Sequence, residues 1–310
     1  MSAVTSVTSW LLATIAALGV AVRLFGWDRG RLLVQAMAFY PYALAVGVVL
    51  LLIPWLSGRR GAAVVMTVAL VLGMAPLVPR LRGAGPTTVD QAAIVRVAAL
   101  NMLFGRADVE QVITLARQVD VLALSEVTPQ VMEQLGRQGL DDVLPFHWVQ
   151  AQDGSAGSGV WSRYPMAALA PVVGRFQMPH VAVSRPGDSA PLRILGVHTV
   201  PPTGGRVGDW RAEVAGLAQV PQVDVMLGDF NATLDHSVFR QVLASGYTEA
   251  AAEVGRGFRA TWPAREFPLP GITIDHVLVG ADVTVKAVQV IEVDGTDHRA
   301  VLAEVVIPPR

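Results

Sequence analysis

Polar residues of one chemical kind recur where apolar, strand-length runs end. Asn101 follows the run over 94–100, Glu126 follows 120–124, and His198 closes 192–197. Asp229 and Asn231 follow 223–227 in the string LGDFNA, Asp275 and His276 interrupt 272–279, and Asp297 and His298 precede 300–307 in TDHRA. Oxygen and imidazole donors of this set suit Mg2+ or Mn2+ rather than a soft metal. The ends of sheet strands are also where layered folds place ligands. Taken singly, each residue has a plainer explanation. Asp-x-Asn after a strand makes an Asx turn, a lone Asp–His pair sits in a surface turn, and Glu126 caps the helix starting near Pro129. Their joint occurrence at strand ends points to one shared site.

The elements that must position these residues are legible in outline. The runs over 94–100, 120–124, 192–197, 223–227, 272–279, 284–292 and 300–307 predict strands, most of them buried on both faces. Amphipathic stretches over 107–118, 129–137, 207–220 and 236–245 predict helices, and the mixture predicts a layered α/β domain. His276 faces the opposite side of its strand from Asp275. The stretch 154–159 lacks the G-x-G-x-x-G pattern and reads as a hairpin turn entering Val160–Trp161. His147, His180 and His236 have no evident partners and read as structural or surface residues; Trp161 and Tyr164 read as core.

The amino-terminal quarter belongs to a different solvent. The chain of 310 residues is 52% hydrophobic and only 16% charged, well below the charge of an ordinary soluble domain. Residues 1–82 carry seven Arg and one acid, Asp28, leaving residues 83–310 a net charge of −7. Uncharged runs over 1–22, 32–58 and 61–79 each approach or exceed the ~20 residues of a membrane-crossing helix. Three transmembrane helices over 1–82, a linker over 83–90 (GAGPTTVD) and a catalytic domain over 91–310 are expected. Five Arg near helix ends (Arg23, Arg29, Arg31, Arg80 and Arg82) would share a side with that domain, against Arg59 and Arg60 opposite. By the positive-inside rule this count places the domain in the cytoplasm. Cysteine is absent, which excludes disulfide scaffolds, thiol nucleophiles and cysteine metal sites.

The ordered strings ALNM around Asn101, LSEV around Glu126, GSGVWSRYP at 157–165, VHT around His198, LGDFNA at 227–232, IDHV at 274–277 and TDHRA at 296–300 resemble the endonuclease/exonuclease/phosphatase superfamily. Deoxyribonuclease I, abasic-site endonucleases, neutral sphingomyelinases and inositol-polyphosphate phosphatases share that metal-dependent fold. The resemblance implies a four-layered α/β sandwich, two mixed β-sheets flanked by helices, here preceded by the three transmembrane helices. It implies metal binding by Glu126, Asn101 and Asp297, with Mg2+ or Mn2+ as cofactor. Asp229 would orient or deprotonate the attacking water, and Asn231 would donate to a phosphate oxygen. His298, its ring held by Asp275, would stabilise the phosphoryl group, and His198 would contact phosphate or protonate the leaving group. The string GSAGSG before Val160 lacks the acid that supports the second histidine in the nuclease branch, which argues against His198 as the general acid. Arg206 and Arg211 would clamp a second phosphate or lie on a solvated helix face.

A membrane anchor ahead of such a domain resembles the actinobacterial branch linked to teicoplanin-type glycopeptide resistance, which acts on undecaprenyl pyrophosphate. That branch implies a multi-pass plasma-membrane protein with an extracytoplasmic catalytic domain, against the Arg count. The expected substrate is therefore a membrane lipid pyrophosphate. Nucleic acid is disfavoured by the charge of −7 and by a scatter of Lys286 and 16 Arg. The alternatives are a phosphodiesterase of nuclease or sphingomyelinase type and an inactive lipid-binding module.

Overall fold

The computed structural model describes residues 3–83, 94–264 and 270–308. The described strands are β1 (Ile94–Asn101), β2 (Val121–Ser125), β3 (Phe146–Gln150), β4 (Ser158–Ser162), β5 (Met166–Ala168), β6 (His180–Val183), β7 (Leu192–His198), β8 (Val225–Asp229), β9 (Tyr247–Glu249), β10 (Asp275–Gly280), β11 (Thr284–Glu292) and β12 (Arg299–Val306). They form two six-stranded mixed sheets, in the orders β11-β12-β1-β2-β4-β3 and β5-β6-β7-β8-β10-β9. One parallel pair lies inside each sheet, β1 with β2 and β7 with β8.

Alternation along the strands builds the layers. Val95, Val97 and Ala99 of β1 join Val225 and Leu227 of β8 and Val277 and Val279 of β10 in a core between the sheets. Ala98 and Leu100 face the other way, onto helices Val109–Ala116 and Pro129–Arg137. Met226 and Leu278 likewise face helices Val207–Leu217 and Ser237–Ala244. The result is the expected four-layered sandwich.

The predicted strands hold, with shifts that matter at the site. Asp229 closes β8 and Asp275 opens β10, so both are strand residues, paired directly with each other. The edge strands β3, β5 and β9 are short and partly exposed, so no apolar run announces them. Val160–Trp161 lies within β4, which is buried throughout. Helix Pro129–Arg137 has its predicted bounds, and its cap is Thr128, whose side chain accepts from the Val131 amide at 3.3 Å. Capping therefore does not explain Glu126.

In the amino-terminal part, Ala3–Phe25 and Arg60–Leu77 are long and apolar enough to cross a membrane. The expected middle span is instead a broken pair, Arg31–Ala38 and Tyr40–Leu56, bent by 75°. Pro41 explains the break: it has no N–H for the Met37 carbonyl, and its ring crowds that oxygen. Three uninterrupted helices are thus corrected to two and a bent pair. The linker, from residue 84 onward, lies outside the described residues.

The anchor is bonded to the domain. Arg80 grips both oxygens of Asp235, at 2.9 and 2.7 Å, and Arg23 Nε donates to Asp235 Oδ1 at 2.6 Å. All three side chains are buried. Two of the five Arg in the orientation count are therefore ion-paired with the domain itself. Ser237 N donates to Asp28 Oδ2 at 2.9 Å, and His236 Nε2 lies 2.9 Å from the Val34 carbonyl. His236, unassigned from sequence, has a structural partner on the anchor.

Candidate active site

The site forms where the inner faces of the two sheets run out of apolar residues. Asn101 continues the inward face of Val97 and Ala99, and Asp229 continues that of Val225 and Leu227. Asp275 precedes Val277 and Val279 on the same parity, and His198 follows Ile194. Register brings them together: His198 sits opposite Asp229 in the parallel pair, and Asp275 opposite Asp229 in the antiparallel one. Gly228 permits this close pairing, since a Cβ there would lie 2.0 Å from the Val197 carbonyl oxygen. His276 has the other parity. It packs on Phe239 and meets Ala232 O at 2.9 Å, away from the site, as expected.

Glu126 lies one residue past β2 with a left-handed φ of 60°. That conformation costs a side-chain-bearing residue roughly 1 kcal/mol or more. Its Oε2 accepts from the Phe104 amide at 2.7 Å, and its Oε1 accepts from Asn101 Nδ2 at 3.2 Å. Leu103 and Phe104 are also left-handed, so a strained loop aims the amide at Glu126. Asn101 Nδ2 also reaches Asp229 Oδ2 at 3.2 Å, joining the two carboxylates. Asp229 Oδ1 accepts from Asn231 N at 2.8 Å, the Asx-turn contact expected of Asp-x-Asn. The turn and the site share one residue. Asn231 Nδ2 donates to the Thr199 carbonyl at 2.8 Å.

His298 Nδ1 donates to Asp275, 2.9 Å from Oδ2 and 3.1 Å from Oδ1. The Nε2 side of the ring faces Asp229 Oδ2 at 4.0 Å and Asp297 Oδ1 at 3.9 Å. Thr261 Oγ1 accepts from the amides of Ile274 and Asp275, fixing the strand entry behind the ring. Burial alone would lower the His298 pKa; the charge and hydrogen bond of Asp275 outweigh it and raise it to about 10. Asp229 is raised to about 7, first by burial and then by the Asp275 charge. Burial also raises Glu126. His198 is lowered to about 3 by burial and by the charge of His298. Its ring packs on Phe176 with centroids 4.5 Å apart, and its Nδ1 has no hydrogen-bond partner. Its Nε2 lies 3.9 Å from Glu126 Oε1, but among the described residues no acid backs Nδ1, in keeping with the missing acid before Val160.

A cavity of about 550 Å³ opens onto Asn101, Glu126, His198, Asp229, Asp297 and His298. Arg206 lines it. Arg211 does not; its guanidinium bonds the Asp28 carbonyl and Ser237 Oγ, so the expected pair of arginines is reduced to one at the cavity. Sequence reasoning missed Val34, Gln35 and Ala38 of the anchor, which form one wall. It also missed Trp262, whose indole N–H donates to Asp297 Oδ2 at 2.9 Å. No motif marks these four residues.

The donor set fits a hard divalent cation. Three carboxylates (Glu126, Asp229 and Asp297) and three imidazoles (His198, His236 and His298) line the cavity with one guanidinium, and Asp297 Oδ1 is buried without a hydrogen-bond partner. Glu126 and Asp229, held above their ordinary pKa by burial, are the kind of carboxylate a cation relieves. Asp229, Asp275 and His298 also bring ligand atoms within 4.8 Å of one another. The His298–Asp275 hydrogen bond already occupies Nδ1, leaving Nε2 as the ring's available atom.

A sandwich of this topology with carboxylate, amide and imidazole groups converging at strand ends defines a metal-dependent phosphoric ester hydrolase. The chain belongs to the endonuclease/exonuclease/phosphatase family, whose model matches residues 98–298. A search of curated protein sequences finds no match. Among solved structures, the chain is similar to an endonuclease/exonuclease/phosphatase protein from Beutenbergia cavernae, with a TM-score of 0.53 and 18% identity over 69% of this chain and 72% of that one. It is similar to D. rerio TDP2 complexed with single-strand DNA product, with a TM-score of 0.54 and 15% identity over 69% and 99%. The 3' phosphatase NExo from Neisseria, bound to a product DNA hairpin, gives 0.50 and 17% over 67% and 98%. At these identities the likeness is one of fold.

Proposed function

We propose that the protein is a membrane-bound, divalent-metal-dependent phosphohydrolase that releases phosphate from a lipid pyrophosphate, such as undecaprenyl pyrophosphate. The observation that carries this reading is the cavity wall: Val34, Gln35 and Ala38 of the anchor face the same space as Asp229 and His298. A substrate held at the catalytic groups would lie against helix Arg31–Ala38. The domain's net charge of −7 disfavours a duplex substrate. The reading includes a multi-pass plasma-membrane location with the domain extracytoplasmic, as in the anchored branch that the sequence resembles.

Glu126, Asn101 and Asp297 would hold Mg2+ or Mn2+, with the Asn101 amide turning to present its oxygen. When bound, the cation supplies charge neutralisation at the phosphoryl oxygens. Asp229, with a pKa near neutrality, takes a proton from water as the water oxygen attacks the terminal phosphorus. The bond from that phosphorus to the bridging oxygen breaks, giving inorganic phosphate and a lipid monophosphate. His298, held cationic by Asp275, donates from Nε2 to a phosphoryl oxygen and strengthens that contact as charge develops. Asn231 and Arg206 orient the phosphates. His198 is neutral, with no acid behind it, and serves as a phosphate contact rather than as a proton donor. That favours an anhydride over a diester: a phosphate leaving group is a stable anion near neutral pH, whereas an alkoxide needs protonation.

The test is turnover by detergent-solubilised protein, read as inorganic phosphate from undecaprenyl pyrophosphate, phosphocholine from sphingomyelin and strand cleavage of DNA, each with Mg2+, Mn2+ or chelator. Metal-dependent release from the pyrophosphate alone, lost in Asp229→Ala, is the expected result. Cleavage of sphingomyelin or DNA instead would replace the reading with a phosphodiesterase. Absence of turnover on all three would favour a binding module.

A further inference from the structure

We infer that the substrate's hydrocarbon chain leaves the catalytic cavity past Ala38 and Ile272 and lies in a second cavity along helix Tyr40–Leu50; this rests on the lipid reading above. The second cavity measures about 290 Å³, and Ala38 and Ile272 line both spaces, so the two are neighbours with those side chains as their shared boundary. From that junction, Pro41, Tyr42 and Ala45 form one side, on neighbouring turns of one helix face. Leu234 and Phe258 of the domain form the other. The 75° break between Ala38 and Tyr40 produces this arrangement. It sets the last turn of Arg31–Ala38 against the catalytic cavity and the first turns of Tyr40–Leu50 beside the groove.

The groove is chemically suited to a methylene chain. Its lining includes the apolar side chains of Ala38, Pro41, Ala45, Leu234, Phe258 and Ile272, and removing a hydrocarbon from water there is favourable. The charged groups at its margin, Arg80 and Asp235, are bonded to each other and need no polar ligand. Tyr42 Oη donates to the Gly271 carbonyl at 2.6 Å and ties the helix to the segment carrying Ile272. The groove therefore adjoins the catalytic cavity at Ala38 and Ile272 and has one side formed by the apolar helix Tyr40–Leu50.

Two measurements on the full-length protein in phosphatidylglycerol nanodiscs test this. A polyprenyl phosphate carrying a diazirine along its chain is photolysed and the adducts mapped by peptide mass spectrometry. Adducts on Tyr42, Ala45 or Phe258 are expected; adducts confined to the outer faces of Ala3–Phe25 and Arg60–Met74 would overturn the groove. Separately, Ala45→Trp should lower the ratio of kcat/KM for undecaprenyl over isopentenyl pyrophosphate by at least tenfold. An unchanged ratio with normal folding would also overturn it. Labelling in the groove without turnover of either pyrophosphate would keep the chain site and discard the anhydride reading. Turnover without groove labelling, and with an unchanged ratio, would do the reverse.

Discussion

The division of labour among the buried charges is decided atom by atom. Asp275 spends both oxygens on His298 Nδ1, so it holds the imidazolium and is not available as a base. Asp229 shares its oxygens between Asn231 N and Asn101 Nδ2, and burial with the neighbouring Asp275 charge raises its pKa to about 7. As the base it must be ionised, so kcat/KM should fall as pH drops through its pKa, and a bound cation, which favours the ionised form, should place that fall below the metal-free value of about 7. Asp229→Asn should reduce kcat by about 10²-fold or more. Because a raised carboxylate pKa penalises the ionised form, stability is lost as pH climbs above the ordinary Asp range. The same variant should therefore melt higher than the wild type at neutral pH without metal, as read by scanning calorimetry. Asp275→Asn removes the charge that keeps His298 cationic. It should lower kcat by a similar factor, and should return the imidazole titration, followed by NMR, from about 10 toward lower pH.

Among the elements, the bent anchor pair and the loop around Asp235 set the active-site wall. Burial would raise the Asp235 pKa, but the hydrogen bonds and charges of Arg80 and then Arg23 win and hold it below the usual carboxylate range. A depressed carboxylate stabilises the fold above its unfolded pKa, and that contribution disappears as pH falls through the folded one. Acid below the ordinary Asp range should therefore loosen the anchor from the domain, seen as faster amide exchange in Arg31–Ala38. Asp235→Asn leaves two buried guanidiniums without their carboxylate and should cost roughly 3–5 kcal/mol, measured by denaturant unfolding in detergent. Unchanged exchange and stability would mean that the ion pairs do not fix the anchor.

Over the whole molecule, the proposed membrane location and catalysis are one question, since amino-terminal helix Arg31–Ala38 lines the cavity. A compartment-sensitive reporter fused after Arg310 should report an extracytoplasmic position; a cytoplasmic signal would restore the Arg count as the better guide. That count treated Arg23 and Arg80 as loop charges, whereas both are buried against Asp235. Their pairing partner lies 155 residues or more away in sequence, so no local pattern could have excluded them.

The strand runs, the helices packed on them, the site residues at strand ends and the apolar amino-terminal segments were legible in the sequence. Periodicity and local polarity depend on near neighbours, and those are what a sequence displays. The same holds for His276, whose separation from Asp275 follows from alternation alone. Other features were decided only by tertiary structure. These are the loss of Arg211 to Asp28, the broken middle helix at the cavity, and Trp262 behind Asp297. Each depends on which distant segment arrives beside a given side chain. That is set by sheet order and by packing of the anchor on the domain, interactions that no single segment encodes.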